Sequence, residues 1–211
     1  MTVEILSVSA RADGDIAVTF EIKAGERKQR ETFVISAAIF ADMGLSVGLC
    51  GQELFDRVSE ASEIYRAKKR GLNILGYGVC SEKGLCHKLT AKGFEKEVAE
   101  RAVAELSAEG YLNADGDALR EAEKCISKLW GKKRIAAQLY SKGYSDRSVK
   151  EAIYALEDGG VDFFEICTQR LHGMIDEIPT DPREKQKLVA SLMRYGFSSD
   201  EIREAIREIM K

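Results

Sequence analysis

Twelve cations, grouped closely in the 211-residue chain, are the side chains whose type and spacing could do chemistry. They are Arg66, Lys68, Lys69 and Arg70, then Lys83, Lys88 and Lys92, then Lys128, Lys132, Lys133, Arg134 and Lys142. Their chemistry is anion recognition, toward nucleic-acid phosphates or an acidic protein groove. The net charge of −3 conceals an alternation: residues 64–92 carry +6 and 124–150 carry +7, while 93–123 carry −6 and 151–182 carry −7. A solvated surface would also be charged. Recurrence of the clusters Arg66 to Arg70 and Lys128 to Arg134 at corresponding regions of two modules favours a binding surface over that bland reading.

Bond-making chemistry has little to stand on. The chain shows no phosphate-binding glycine loop, nucleophile elbow, H-E-x-x-H or repeated acid–base set, so neither an enzyme nor a cofactor is expected. Cys80, Cys86 and His87 form the only metal-like cluster, and their C-x5-C-H spacing lacks the close ligand pairs of zinc sites. No metal is expected there. Five cysteines, Cys50, Cys80, Cys86, Cys125 and Cys167, contain no C-x-x-C and read as reduced thiols buried like small hydrophobes. His172 reads as a helix surface residue. No run approaches the roughly 20 apolar residues of a membrane span, and the N-terminus has no basic start before an apolar core. A cytoplasmic protein with no membrane partner is the expectation.

The elements that carry the cations repeat. With Phe94, Tyr144 and Phe197 in register, Leu85, Ile135 and Leu188 lie nine residues earlier, and Leu89, Leu139 and Leu192 five earlier. Downstream the match continues through Ala99/Val149/Ile202, Ala102/Ala152/Ala205, Val103/Ile153/Ile206 and Leu106/Leu156/Ile209. That is helical spacing. Gly93, Gly143 and Gly196 precede the aromatics, where a left-handed residue ends a helix cheaply, so each copy reads helix, glycine turn, helix. The leucine and the aromatic would make the contact of a Schellman motif. Ser198 with Glu201 predicts a capping box, Ser145 a simple cap and Glu95 a weak one.

In chain order, alternating apolar residues at 3–6, 16–22 and 31–35 predict three strands, with a helix over Ser36–Met43 and a turn over Gly44–Gly51. Residues 53–77 read as one helix or two, followed by helices near 81–92 and 95–109. The next set is placed near 115–130, 132–142 and 145–158, and the last near 161–177, 182–195 and 198–210. The predicted fold is mostly α: three tandem three-helix repeats in an elongated curved body, preceded by a small N-terminal antiparallel β-meander. Segments are placed at 1–50 for the β-rich extension, and at 51–110, 111–160 and 161–211 for the repeats. Gly71, Gly76 and Gly78 would thin the first helix of repeat one, at about 1 kcal/mol for each that lies inside it.

The L-x3-L spacing before K-G-F or K-G-Y, the junction Gly110-Tyr111-Leu112-Asn113 and the run Arg194-Tyr195-Gly196-Phe197-Ser198 resemble the RecX family of recombination regulators. The resemblance covers roughly residues 60–211. The strands and the segment from Leu45 to Leu54 are similar to an N-terminal extension of some members. Gly84 departs from the pattern, which usually has an acidic residue there. The resemblance implies three three-helix repeats and a monomer that binds the RecA filament on single-stranded DNA. It further implies tuning, with inhibition foremost, of ATP hydrolysis and strand exchange in homologous recombination, DNA repair and the SOS response, with contact to single- or double-stranded DNA as well. The alternatives are a helix-turn-helix transcription factor and a scaffold without DNA contact. Glu95, Glu97, Glu100, Glu105 and Glu109 on the would-be recognition helix argue against the first, and binding insensitive to salt would identify the second.

Overall fold

The structure is a computed structural model and describes residues 2–210. Met1 and Lys211, the outer limits of the segments placed above, lie outside the described residues. Strands β1 (Thr2–Ala10), β2 (Ile16–Ala24) and β3 (Arg27–Ile35) form the antiparallel meander. The helix α1 (Ala37–Met43) starts at Ser36, whose hydroxyl accepts the Ile39 N–H. A further strand, β4 (Gly48–Cys50), then pairs with β1 and extends the sheet to the order β3-β2-β1-β4. This corrects the turn expected over 44–51. Three residues are too few to display alternation.

Alternation along the strands buries Val3, Ile5, Val18, Phe20 and Ile35. Their cover comes from α1 and from α2 (Gln52–Gly76), a single helix of 25 residues. Phe55 of α2 meets Phe20 and Phe33 edge to face at centroid distances of 5.2 and 5.3 Å. The buried Ser62 hydroxyl accepts the Val34 N–H at 3.1 Å and donates to the Val34 carbonyl at 2.9 Å. That bond satisfies part of the outer edge of β3. One core therefore runs through residue 50. Gly71 sits inside α2 because a Cβ there would lie 2.7 Å from Leu106 Cδ1.

The remaining helices come in the expected sets. They are α3 (Glu82–Thr90) and α4 (Lys96–Ala108), then α5 (Ala114–Ile126), α6 (Lys132–Ser141) and α7 (Asp146–Asp158), then α8 (Phe163–His172), α9 (Pro182–Arg194) and α10 (Ser199–Ile209). By packing, the chain divides into two compact units. One comprises residues up to Gly78 with Leu85–Tyr111, and the other Val79–Gly84 with the chain from Leu112 onward. Leu85, Leu89, Ala99, Ala102 and Leu106 are buried in the first; Ile135, Leu139, Leu171, Leu192 and Ile202 in the second. Full burial stabilises each such leucine or isoleucine by about 1.5–3 kcal/mol.

The helix ends follow the sequence reading. Phe94, Tyr144 and Phe197 donate their N–H to Leu89, Leu139 and Leu192 carbonyls at 3.3, 3.2 and 3.3 Å. The intervening Gly93, Gly143 and Gly196 have φ of 93°, 85° and 95°. These are Schellman ends. Ser198 and Glu201 form the capping box, Ser145 accepts the Ser148 N–H, and Glu95 makes no side-chain cap bond.

Candidate functional site

Two of the three glycine turns are closed by the start of another helix. The Ser81 hydroxyl, ahead of α3, donates to the Lys142 carbonyl and accepts the Gly84 N–H at 3.0 Å. A Cβ at Gly84 would stand 3.2 Å from the Lys142 carbonyl oxygen and 3.1 Å from Cys80 Sγ. Little room is left for the acidic side chain usual at that position. At the start of α6, the N–H groups of Gly131 and Lys133 donate to the carbonyls of Tyr195 and Gly196 at 2.8 and 3.1 Å. These carbonyls take up N–H groups that a helix start leaves free, and their negative ends face its positive end.

That geometry decides the role of the second cationic group. Arg134 lies between Trp130 and Tyr195, its guanidinium 4.1 and 5.0 Å from their ring centroids, and Arg170 stacks on Tyr195 at 3.7 Å. Lys132 pairs with Glu157 and sits 5.1 Å from the Phe163 centroid. Lys142 pairs with the buried Glu121, which also holds Lys124 at 2.7 Å. Burial alone would raise the Glu121 pKa, but the two lysines outweigh it and hold the carboxyl below its ordinary value. Lys128 is exposed beside Trp130, and Lys133 projects an exposed side chain. Arg134, Lys132 and Lys142 are thus tied into packing, while Lys128 and Lys133 stay available. Lys83 lines the Gly143 turn, with its Cβ 3.0 Å from where a Gly143 Cβ would stand.

In the first unit, Arg66, Lys69, Arg70 and Asn73 follow one another at helical spacing on one face of α2. Together with Lys92 and Phe94 they line an open cleft of about 470 Å³. Among the described residues, no acidic side chain lines it. Lys69 is held by Asp15 at 2.7 Å and Asp13 at 3.3 Å, and Arg66 by Glu63. Lys68 leaves the group. It faces α4, bonded to Glu105 and Glu109 at 2.8 and 2.6 Å with its side chain 18% exposed. Burial opposes its charge, yet those carboxylates keep its pKa above the ordinary value. Lys88 is exposed near the end of α3, outside the cleft lining.

The structure therefore brings together Arg66, Lys69, Arg70 and Lys92, but not the whole cationic set. The clusters Arg66 to Arg70 and Lys128 to Arg134 do not occupy corresponding positions, because the first lies within α2 and the second spans the α5–α6 connection. Asn73 and Phe94 were missed as cleft residues. The α2 spacing could have shown Asn73, whereas Phe94 had already been read as a packing residue. Arg170 gave no signal, being the only cation of an acidic block. Cys86 directs its thiol to the Ala99 carbonyl, and among the described residues no three metal-binding side chains converge. All five cysteines are free. No described helix is long and apolar enough to cross a membrane.

Three-helix sets in tandem after a small sheet define a helical-repeat protein. Residues 67–106 match the family description "RecX, first three-helix domain", and 169–206 match "RecX, third three-helix domain". The Regulatory protein RecX of Stenotrophomonas maltophilia (strain R551-3) is 30% identical over 143 residues, covering 66% of this chain and 84% of that one. That of Caldanaerobacter subterraneus subsp. tengcongensis is 26% identical over 178 residues, covering 82% and 86%. A crystal structure of regulatory protein RecX superposes with a TM-score of 0.76 at 18% identity, over 98% of this chain and 99% of that one. The RecX structure from Lactobacillus salivarius gives 0.61 at 24% identity, over 71% and 98%. The chain belongs to the RecX family of regulatory proteins.

Proposed function

We propose that this protein is a cytoplasmic regulator of a RecA recombinase, binding along the RecA filament on single-stranded DNA and restraining ATP hydrolysis and strand exchange. It acts as a monomer, without cofactor or bond chemistry of its own. The observation that carries the reading is family membership joined to the free cations of the α2 cleft, where Arg70 and Lys92 have no carboxylate partner among the described residues. Such a surface suits a nucleoprotein filament, which offers phosphates and acidic side chains together. In this role the segment 1–50 is an accessory to three binding repeats at 51–110, 111–160 and 161–211. The test is purified protein added to RecA, ATP and single-stranded DNA, with hydrolysis and filament length followed together. Both are expected to fall. Unchanged hydrolysis and strand exchange at equimolar protein would overturn the assignment.

A further inference from the structure

Of three equivalent glycine turns in this chain, two are occupied and one is open. Those at Gly143 and Gly196 present carbonyl oxygens to the starts of α3 and α6. Among the described residues, the turn Lys92-Gly93-Phe94 receives no helix start. A Cβ at Gly93 would meet no atom within 4 Å, and the Lys92 and Gly93 carbonyls accept no hydrogen bond among the described residues. Beside this open turn lies the cleft of Arg66, Lys69, Arg70, Asn73, Lys92 and Phe94.

We propose that the open turn and its cleft form a socket for the start of a helix on a protein partner, one with Asp or Glu in its first turn. A helix start brings unbonded N–H groups, the complement of the two free carbonyls, as the N–H groups of Gly131 and Lys133 do at Tyr195 and Gly196. First-turn carboxylates are the residues that helix starts favour, and they would meet the cations of α2 and Lys92. Phosphate would meet the same cations, but would also face the negative ends of the two carbonyls. Head-to-tail stacking of two copies in the same mode is closed off. Ser81 and Gly131 lie four residues before Leu85 and Ile135, and the matching Glu184, four before Leu188, lies inside α9. At the start of that helix, Asp181 already accepts the Arg183 N–H at 3.1 Å.

The proposal rests on the reading above only in taking the partner to be a protein, and its test uses no recombinase. The full chain, isotope-labelled for amide NMR, is titrated with an alanine-rich peptide of about 18 residues, long enough to hold helix, that begins Gly-Glu-Glu. Dose-dependent shifts are expected at the Asn73, Lys92, Gly93 and Phe94 amides. A peptide beginning Gly-Lys-Lys should bind about tenfold more weakly or less, the factor of a single good charge contact. The double variant Arg70→Glu, Lys92→Glu should abolish the shifts while its circular dichroism matches wild type. Absence of shifts at millimolar peptide would overturn the socket. So would oligothymidylate moving those amides in the peptide's place, or shifts that grow with protein concentration alone, which would mark a second copy. Peptide binding without any effect on RecA would instead remove the recombinase assignment and leave the socket standing.

Discussion

At the scale of the residue, the three turn glycines have one conformation and three different surroundings. Alanine at Gly93 should cost only the left-handed backbone strain, about 1–2 kcal/mol. At Gly143 the new Cβ would crowd Lys83 Cβ at 3.0 Å, and at Gly196 it would fall 2.4 Å from the Arg134 amide nitrogen. That nitrogen is backbone, so a helix start must move, adding about 1–3 kcal/mol. Urea unfolding should rank the losses Gly196→Ala, then Gly143→Ala, then Gly93→Ala. Equal losses would mean that docking of helix starts contributes nothing. The conformation was legible from the repeated Gly-aromatic pair, because it is local. The crowding was not, because it joins residues 60 or more positions apart.

Two buried groups contribute to the response to alkali. Burial pushes the Cys167 thiol up to about 12, with the Glu201 charge adding to it. The Tyr144 phenol is likewise raised, first by burial and then by the Asp117 and Glu121 charges, and its hydroxyl has no hydrogen-bond partner among the described residues. Both are neutral when protonated, so the folded chain holds these protons more tightly than the unfolded one. Their contribution is complete below the ordinary thiol value of 9.0 and declines as pH rises toward 12. Urea midpoints should therefore fall across that window, and less steeply in Cys167→Ala. Tyr144→Phe should leave neutral-pH stability nearly unchanged, since it removes an unsatisfied hydroxyl, whereas Tyr144→Ala should cost about 3–5 kcal/mol.

At the scale of the element, periodicity placed every long helix and three strands, since each of those segments shows a full cycle of its own pattern. It could not place β4, whose three residues exist as a strand only through β1. A three-stranded sheet needs a cover for its apolar face, and the sequence offers one in Ser36–Met43 and the helix beginning near Gly51. It does not offer the contacts themselves, because the residues of α2 that make them, Leu54, Phe55, Val58 and Ser62, are spaced like any amphipathic helix. Packing makes a specific demand on a chain starting at Gly51. It would expose those apolar side chains and leave Phe55 without Phe20 and Phe33. We expect such a chain to retain α5 to α10 but to melt in two steps or aggregate, as followed by circular dichroism and light scattering. A single cooperative melt at the full chain's temperature would show that the sheet contributes little to α2.

At the scale of the whole molecule, charge was legible as blocks but not as a surface. The blocks count side chains that the fold then spends on itself: Lys68 on α4, Lys142 on Glu121, Lys132 on Glu157, and Arg134 on two aromatic rings. Reversing Lys132, Lys133 and Arg134 together would therefore damage folding as well as any binding, since it places two carboxylates among packed rings and beside Glu157. The informative reversal uses cations that the fold leaves free, Arg70, Lys92 and Lys133, changed to Glu. In the proposed role, this variant should keep wild-type helicity and lose affinity for the RecA filament, and the wild-type interaction should itself weaken with added salt. A matched change of the exposed Glu97 and Glu100 to Lys should weaken it far less. Co-sedimentation with filaments at two salt concentrations reads all three proteins together. Inhibition by the reversed variant equal to wild type would place the contact elsewhere on the chain, and affinity independent of salt would remove electrostatics from the interaction altogether.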